Sequence, residues 1–443
     1  MSKQPFPTLN SSSSIARITK EICWFQKSAD LSLAVDYRDS DVRHIRAFIL
    51  GPPETPYEFG FFEFDVKFGA DYPMKPPVVR AMTTNQGKTR FNPNIYNSGK
   101  VCLSILGTWP GERGEQWSSA QTIESVLLSI QSLMSSNPYQ NEPGFDNVEK
   151  DEPRAQAYVA KIRHETIRIS VVQRLEQLMG IENGKFDSDD PDDAYSELED
   201  QGDWDPFADL MKNRFLWYYD TYCRTMESAV SEQPDGNKFE DAEFEFRDNG
   251  MAGQFSYKSL IKRVEKLNSA LEEERLSWKK EGAAQATART QLATQLAFHF
   301  QQLSAKKRHT SQIDLKLPDP NNPFVWNIAI LGKPMTNLEG GIFNLVLSIP
   351  PQFPQQQPRV KFDTPIFHHR VSSRGYLCYF PEKPEEISSH LEAILCSIED
   401  ENPTFDPRAA VNPGAFALRW GGAEEKKFYS RKLRRSAQES CEA

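Results

Sequence analysis

The alternation of apolar and polar residues predicts a strand in the first part of the chain. In FFEFDVKF (61–68) the apolar residues recur with period two. Phe62, Phe64 and Val66 therefore face one side of the strand, and Glu63 faces the other. This pattern is typical of a half-buried strand in an antiparallel sheet.

Spacings of three and four residues predict helices on either side of this strand. SSSSIARITKEICWF opens with residues that favour helix N-termini and then places Ile15, Ile18 and Ile22 on one helical face. A second helix is predicted after Ser118 and Ser119. Its apolar residues recur at helical spacing and form a core face, which comprises Ile123, Val126, Leu127, Ile130, Leu133 and Met134.

Two further helices are predicted later in the chain, over 207–223 and 257–280. In the second, the apolar residues alternate steps of four and three for only two heptads, at Leu260, Val264, Leu267 and Leu271. So short a repeat favours packing against a neighbouring domain over a coiled coil.

The order of motifs in the first part of the chain repeats in the last part. The matched blocks are GPPETPYEFGFFEFDVKF (51–68) with GKPMTNLEGGIFNLVLSI (332–349), DYPMKPPVV (71–79) with QFPQQQPRV (352–360), FNPNIYNSGKVC (91–102) with FHHRVSSRGYLC (367–378), and NPYQNEP (137–143) with NPTFDP (402–407). Four blocks in one order indicate a duplicated domain.

The negative charge of the chain is concentrated in one segment. The 443 residues include 52 Lys+Arg and 62 Asp+Glu, which gives a net charge of -10. Eleven acidic residues and one lysine lie between Glu182 and Asp205, so this segment alone accounts for the net charge. We interpret 181–206 as a solvated acidic linker. The alternative is a docking segment for a basic partner surface.

Composition also excludes several classes of function. Outside the acidic segment the chain is neutral and has no excess of basic residues, which argues against nucleic-acid binding. No run of 18 apolar residues occurs, and the N-terminus has no apolar signal core, so we expect no membrane association and a place in the cytoplasm or nucleus. The six cysteines are far apart and include no CxxC pair, which predicts free thiols in a reducing compartment and no metal site.

Cys102 is the residue with the strongest indication of chemistry. Taken alone, a cysteine is more often a buried apolar thiol than a nucleophile. A proline-fixed loop before it holds the carboxamide of Asn94 in place, as a group that stabilises an oxyanion must be held, and Gly99 lets the chain turn. His44 and His164 are the two histidines of the first domain and are far along the chain, so Cys/His activation is poorly supported.

Longer strings around this cysteine resemble a known family. PYEFGFFEFDVKFGADYPMKPPV, RFNPNIYNSGKVCLSILGTW, WSSAQTIESVLLSIQSLM and NPYQNEPGF together resemble the ubiquitin-conjugating enzyme family over residues 12–175. The family has a His-Pro-Asn triplet eight residues before its catalytic cysteine; Asn94 precedes Cys102 by eight, and Asn92 stands at the histidine position. IRHETIRI, FLWYYDTY and GQFSYKSLIKR are similar to the E2 Z subfamily and its extension, and that subfamily also has asparagine there.

The resemblance implies an α+β protein with two ubiquitin-conjugating folds. Each fold would have an N-terminal helix, an antiparallel meander sheet and C-terminal helices. The implied division is a catalytic core, an acidic linker, a helical extension and a second domain, at residues 12–180, 181–206, 207–289 and 290–436.

The implied activity is a two-step acyl transfer. Cys102 would accept ubiquitin, or a ubiquitin-like modifier, as a thioester from an activating enzyme and pass it to a substrate lysine or a ligase. Asn94 would steady the oxyanion or its supporting loop. Glu142, an acid before a proline, would orient and deprotonate the lysine. No cofactor is implied for this chain, because ATP is used by the activating enzyme.

The resemblance also implies partner surfaces. Arg17 and Lys20 of the first helix match positions that meet the activating enzyme. Met74, with Ser118 and Ala120, matches the loops that contact ligases. Many family members that serve HECT ligases have phenylalanine where Met74 stands, so a RING-type ligase is favoured.

The second domain departs from the family pattern. His368 keeps the histidine, Arg370 stands at the asparagine position, and Cys378 follows eight residues later. We favour a non-catalytic domain that binds ubiquitin or other partners; the alternative is a second active thiol. For the whole chain, the alternative to an enzyme is a ubiquitin-binding scaffold made of two inactive domains.

Overall fold

A computed structural model describes residues 10–27, 31–38, 40–111, 114–181, 204–245, 251–307 and 313–442. The chain forms two compact units. The first comprises residues 1–208 and 229–260, and the second comprises 209–228 and 261–443. The predicted acidic linker lies outside the described residues except for its ends.

Unit 1 is built on a four-stranded antiparallel meander, because each strand pairs with the next one along the chain. Its strands are β1 (Leu33–Arg38), β2 (Asp41–Leu50), β3 (Phe61–Lys67) and β4 (Val78–Ala81). The period-two prediction for β3 is confirmed on the core face, where Phe62, Phe64 and Val66 are buried.

Two helices pack on this core face, α1 (Asn10–Lys27) and α2 (Ile123–Leu133). Thr122 caps α2 by accepting a hydrogen bond from the Ser125 backbone. Of the three isoleucines predicted on one face of α1, Ile18 and Ile22 are buried, whereas Ile15 is 40% exposed.

The opposite face of β3 is also covered, so the prediction of a half-buried strand is wrong at Glu63, which is 7% exposed. Helix α3 (Pro153–Glu165) continues through a π-helical segment (Thr166–Gln173) into α4 (Arg174–Leu178). Arg174 Nε donates to Glu63 Oε2 at 2.6 Å, and the Phe61 backbone N–H donates to Ser170 Oγ at 3.2 Å. Strand β3 is therefore buried on both faces. The buried carboxylate of Glu63 is tolerated because it is paired with Arg174.

The predicted helical extension does not form a unit of its own. Its helices are α5 (Ala208–Glu232) and α6 (Tyr257–Thr287), both longer than predicted. Residues 209–228 belong to unit 2 and residues 229–260 to unit 1. The apolar residues Leu260, Val264, Leu267 and Leu271 are all buried. Amphipathic helices without a core of their own gain stability by burying this face against an existing core.

Unit 2 repeats the meander of unit 1 with the strands in the same order. Its elements are α7 (Gln291–Lys307), β5 (Ile313–Lys316), β6 (Val325–Leu331), β7 (Ile342–Ser348), β8 (Arg359–Phe362), α8 (Ile387–Glu399), α9 (Pro413–Trp420) and α10 (Ala423–Glu439). Both predicted folds, each with an N-terminal helix, a meander and C-terminal helices, are therefore confirmed.

Small details of the backbone also repeat between the units. Gly99 and Gly375 both have a left-handed backbone, with φ of 84° and 88°. A Cβ at either position would lie 2.5 Å from a carbonyl oxygen, that of Ala81 or of Phe362. Each glycine lies in the turn before a candidate cysteine, so the duplication preserves the approach of that turn to the sheet. None of the helices within the described ranges is long and apolar enough to cross a membrane.

Candidate active site

Cys102 and Asn94 are joined by two hydrogen bonds. The Cys102 backbone N–H donates to the Asn94 carbonyl oxygen at 2.8 Å. In return, Asn94 Nδ2 donates to the Cys102 carbonyl oxygen at 3.0 Å. The structure thus brings together the two residues that the eight-residue spacing selected. The carboxamide braces the backbone that carries the thiol, and Cys102 itself is 3% exposed.

Asn92, at the histidine position of the family triplet, is fully buried and uses its whole hydrogen-bonding capacity. Its Nδ2 donates to the Tyr57 hydroxyl at 2.9 Å and to the Leu133 carbonyl at 2.8 Å. Its Oδ1 accepts from the Asn94 N–H at 3.0 Å and from Asn141 Nδ2 at 3.2 Å. A carboxamide has two donors and two acceptor sites, so all are used. Asn92 therefore organises the loop that presents Asn94.

The Tyr57 hydroxyl continues this network beneath the loop. It donates to the Phe91 carbonyl at 2.7 Å while it accepts from Asn92. Burial raises the pKa of Tyr57 above its usual range, although the hydrogen bond from Asn92 opposes this shift. Tyr57 is therefore a protonated, fixed donor.

Arg90 links Glu142, the predicted base, to the loop. Its guanidinium is buried, and Nη2 donates to the Pro93 carbonyl at 2.5 Å and to Glu142 Oε2 at 3.0 Å. The side chain of Glu142 is 24% exposed. The predicted base thus lies in the same network as Asn94, and its carboxylate is engaged by an arginine that sequence reasoning missed. The sequence feature that could have indicated this arginine is its position two residues before Asn92.

The chain after Cys102 is fixed by a second residue that sequence reasoning missed. The Thr108 hydroxyl donates to the Val101 carbonyl at 2.7 Å and accepts from the Leu103 N–H at 3.0 Å. Between these positions the chain makes a single 3₁₀ turn, Ser104–Leu106. The hydroxyl therefore holds the backbone on both sides of the thiol.

The predicted partner residues on α1 lie beside a cleft of about 210 Å³. Arg17 and Lys20 line it together with Trp24, which is 69% exposed. Arg17 pairs with Glu21, and the hydrogen bond that Arg17 donates to this carboxylate raises the pKa of Arg17. The arginine is thus oriented by the helix, and a large apolar ring stands exposed next to two cations.

The predicted ligase-contacting residues share a surface. Met74 is 75% exposed, and Ser118 and Ala120 are also exposed. Trp117 Nε1 donates to the Pro73 carbonyl at 2.8 Å and so ties the two loops together. The structure therefore places all three residues on one joined pair of loops.

In unit 2 the corresponding thiol is enclosed. Cys378 is 0% exposed and packs in a cluster with Ala409, Val411, Trp217 and Phe380. Burial raises the pKa of Cys378 to about 11, and the charge of an arginine opposes the shift only in part. Such a thiol is almost wholly protonated at neutral pH.

Residues of α5 cover the turns that flank this thiol. Asp220 accepts from the Ser373 N–H and hydroxyl, both at 2.6 Å. Tyr219 accepts from Arg374 at 2.8 Å, and Tyr218 donates to the Arg408 carbonyl at 2.6 Å. The turns around Cys378 are therefore covered by residues of α5 that belong to the same unit.

These geometries agree with comparisons to known proteins. The family model described as "Ubiquitin-conjugating enzyme" matches residues 17–165 and 295–400. The chain belongs to the ubiquitin-conjugating enzyme family. The second match covers part of unit 2, so the family resemblance of both halves is confirmed.

Several named relatives are similar to this chain. Ubiquitin-conjugating enzyme E2 Z of Xenopus tropicalis is 39% identical over 259 residues, which is 58% of this chain and 72% of the relative. The human E2 Z is 39% identical over 256 residues, 56% of this chain and 61% of the relative. The human dual E2 ubiquitin-conjugating enzyme/E3 ubiquitin-protein ligase BIRC6 is 38% identical over 177 residues, 38% of this chain and 4% of the relative. A solved Toxoplasma gondii ubiquitin conjugating enzyme E2 domain is 29% identical, covering 35% of this chain and 97% of that chain with a TM-score of 0.28.

Proposed function

We propose that Cys102 accepts the C-terminal acyl group of ubiquitin, or of a ubiquitin-like modifier, as a thioester. The observation that carries the proposal is the double hydrogen bond between Cys102 and Asn94. It holds the cysteine that stands at the nucleophile position of the first domain, in a chain that belongs to this family.

The proposed reaction has two steps. First the Cys102 thiolate attacks the thioester on the activating enzyme; a new C–S bond forms, and the activating enzyme's cysteine leaves as a thiolate. An amine then attacks the Cys102 thioester, a C–N bond forms, and Cys102 leaves as a thiolate while the amine loses a proton to a base. With a ligase cysteine as acceptor, the second step is another thioester exchange.

Two side chains take supporting roles in this proposal. Asn94 supports the backbone of Cys102 and steadies the tetrahedral oxyanion, a contribution worth about 10²- to 10³-fold in rate where such donors are removed. Glu142 orients the incoming lysine and takes its proton, from a position fixed by Arg90. The chain binds no cofactor of its own, since the activating enzyme consumes ATP.

The partner surfaces follow from exposure and charge. We assign the activating enzyme to the α1 surface with Arg17 and Lys20, and a RING-type ligase to the surface of Met74, Ser118 and Ala120. Widely spaced free cysteines suit a reducing compartment, so the proposed location is the cytoplasm or nucleus.

Unit 2 has a different role in the proposal. The enclosed thiol of Cys378 and the α5 residues over its flanking turns favour a non-catalytic domain. The domain then contributes binding of ubiquitin or partners rather than transfer.

Charging with purified proteins tests both assignments. Activating enzyme, ATP and ubiquitin should give an adduct that reductant removes. Cys102→Ala should abolish it, and the matched variant Cys378→Ala should leave it unchanged. Loss of the adduct in Cys378→Ala alone would move the site to unit 2. No adduct in wild type, with ubiquitin binding retained, would favour the scaffold.

A further inference from the structure

A short segment after α5 packs beside the candidate active site within unit 1. Residues 240–245 lie about 100 residues beyond Glu142 in sequence. Phe244 is buried, and its ring contacts Tyr139 and Tyr158 edge-on, with centroids 4.9 Å and 5.4 Å apart. Segment 240–245 is therefore part of the core of unit 1, although the sequence places it outside the family domain.

This segment is anchored to α3 by a fully buried ion pair. Lys161 binds Glu245, and both side chains are at most 1% exposed. Lys161 Nζ also donates to the Glu240 carbonyl at 2.9 Å, and Glu245 accepts from the Ala242 N–H at 2.8 Å. A buried charge pair keeps its geometry because each charge left alone would be strongly destabilising. The pair thus fixes where Phe244 stands.

Phe244 lies against the guanidinium of Arg90. The Arg90 Cζ is 5.7 Å from the Phe244 ring centroid and 4.5 Å from that of Tyr96. Within the described part of the chain, Arg90 Nε has no hydrogen-bond partner. The hydrogen bonds to Pro93 and to Glu142 both come from the same nitrogen of Arg90, Nη2. The contacts with the two aromatic rings therefore also help to hold the rest of the guanidinium in place.

We propose that segment 240–245 is a built-in positioning element for the transfer step. Phe244 holds Arg90, Arg90 holds the Pro93 carbonyl and the Glu142 carboxylate, and the adjoining Asn94 is paired with Cys102. Phe244 and Arg90 are positioning residues, because the groups they orient, rather than they themselves, face the thioester. This inference rests on the proposed thioester at Cys102.

Replacing the ring while keeping apolar volume tests the inference. In Phe244→Leu, the cation–π contact is lost, and we expect the preformed thioester to discharge to free lysine about threefold to tenfold more slowly. The discharge rate should fall through kcat rather than through KM for lysine. Phe244→Tyr keeps an aromatic face and should restore the wild-type rate.

The matched control is Phe145→Leu. Phe145 contacts Tyr139 and Phe244 in the same aromatic cluster, while the arginine over its own ring is Arg154. This variant should discharge at the wild-type rate. Equal slowing in Phe145→Leu and Phe244→Leu would overturn the inference in favour of a general packing defect, and so would wild-type discharge in Phe244→Leu.

A second measurement does not depend on activity. Amide hydrogen exchange reports the bond from the Cys102 N–H to Asn94. The peptide that contains Cys102 should exchange faster in Phe244→Leu than in wild type, while a peptide from β2 should be unchanged. No change at Cys102 would overturn the inference even if charging proceeds. Failure of wild type to charge at all would instead refute the thioester at Cys102.

Discussion

Asn92 and His368 accept the same hydrogen bond in the two units. The Asn94 N–H donates to Asn92 Oδ1 at 3.0 Å, and the Arg370 N–H donates to His368 Nδ1 at 3.2 Å. Burial, with the charge of Arg370 and another arginine, lowers the pKa of His368 to about 3, so its ring is neutral and Nδ1 is free to accept. The shared requirement at this position is therefore an acceptor for the backbone two residues on. Asparagine meets that requirement without an imidazole.

Restoring the family's usual histidine should therefore weaken unit 1. A neutral histidine has one donor and one acceptor, whereas Asn92 uses two of each. Asn92→His should leave buried partners unsatisfied and lower the free energy of unfolding by about 1–3 kcal/mol. Urea denaturation measures this change. Asn97→His, in the same loop but only half-buried, is the control, and an equally stable Asn92→His would contradict the argument.

Acid stability should depend on Glu165. Burial alone would raise the pKa of Glu165, but Arg168 and His164 outweigh burial and hold it at about 2. The folded pKa lies below the unfolded value, so the stabilisation is present above about pH 4.5 and is lost as the pH falls toward 2. At about 1.4 kcal/mol per pKa unit, the contribution at pH 7 is about 3 kcal/mol.

The matching variant is Glu165→Gln. Its free energy of unfolding should be lower than that of wild type at pH 7, and the two should converge near pH 2. Thermal unfolding followed from pH 7 to pH 2 measures both. Glu152→Gln removes an exposed partner of Arg154 and should have a much smaller effect. A constant difference between wild type and Glu165→Gln at every pH would contradict the linkage.

The enclosed thiol should resist alkylation. With a pKa of about 11, about one Cys378 thiol in 10³ is ionised at pH 8, and the sulfur has no access to solvent. The exposed Cys23, Cys396 and Cys441 should react with iodoacetamide first. Mass spectrometry of timed samples gives the order.

Removing the ring over the thiol should release it. Trp217→Ala opens the cluster around Cys378 and should speed its alkylation without speeding that of Cys23. Trp278→Ala is the matched control, since this buried tryptophan of the same unit stacks on Arg359 instead. Equal acceleration in both variants would indicate loosening of the whole unit.

Met74 should contribute to ligase function and not to folding. The side chain is 75% exposed, so Met74→Ala should leave the melting temperature unchanged. Burial of a methionine in an interface is worth about 1.5–3 kcal/mol, so discharge stimulated by a RING-type ligase should fall about tenfold or more. Met335→Ala, at an exposed methionine of unit 2, should change neither quantity. Stimulation by a HECT ligase alone would contradict the assignment.

Local patterns were sufficient for core elements of unit 1. Ile18 and Ile22 are buried at helical spacing, and Phe62 and Phe64 alternate into the core as the period of β3 requires. The eight-residue spacing also brought Asn94 to Cys102 because the turn between them is short and closed by its own hydrogen bonds.

Contacts distant in sequence could not be predicted in this way. Glu63 reads as a solvent-facing residue until Arg174, 111 residues later, pairs with it. The residues next to Arg90 in sequence do not distinguish it from a surface arginine. Its role depends on its contacts with Glu142 and Phe244, which are distant in sequence. Period and propensity describe neighbours along the chain, and these partners are defined only by the fold.

The order in which the chain enters its two units limits how it can be divided. Residues 209–228 belong to unit 2, yet residues 229–260 return to unit 1, so the polypeptide crosses between the units three times. A truncated chain that ends at residue 208 would keep Cys102 and Asn94 but would lose Glu245, the buried partner of Lys161. The core of unit 1 therefore includes Ala242, Phe244 and Met251, well past residue 165, where the first family match ends.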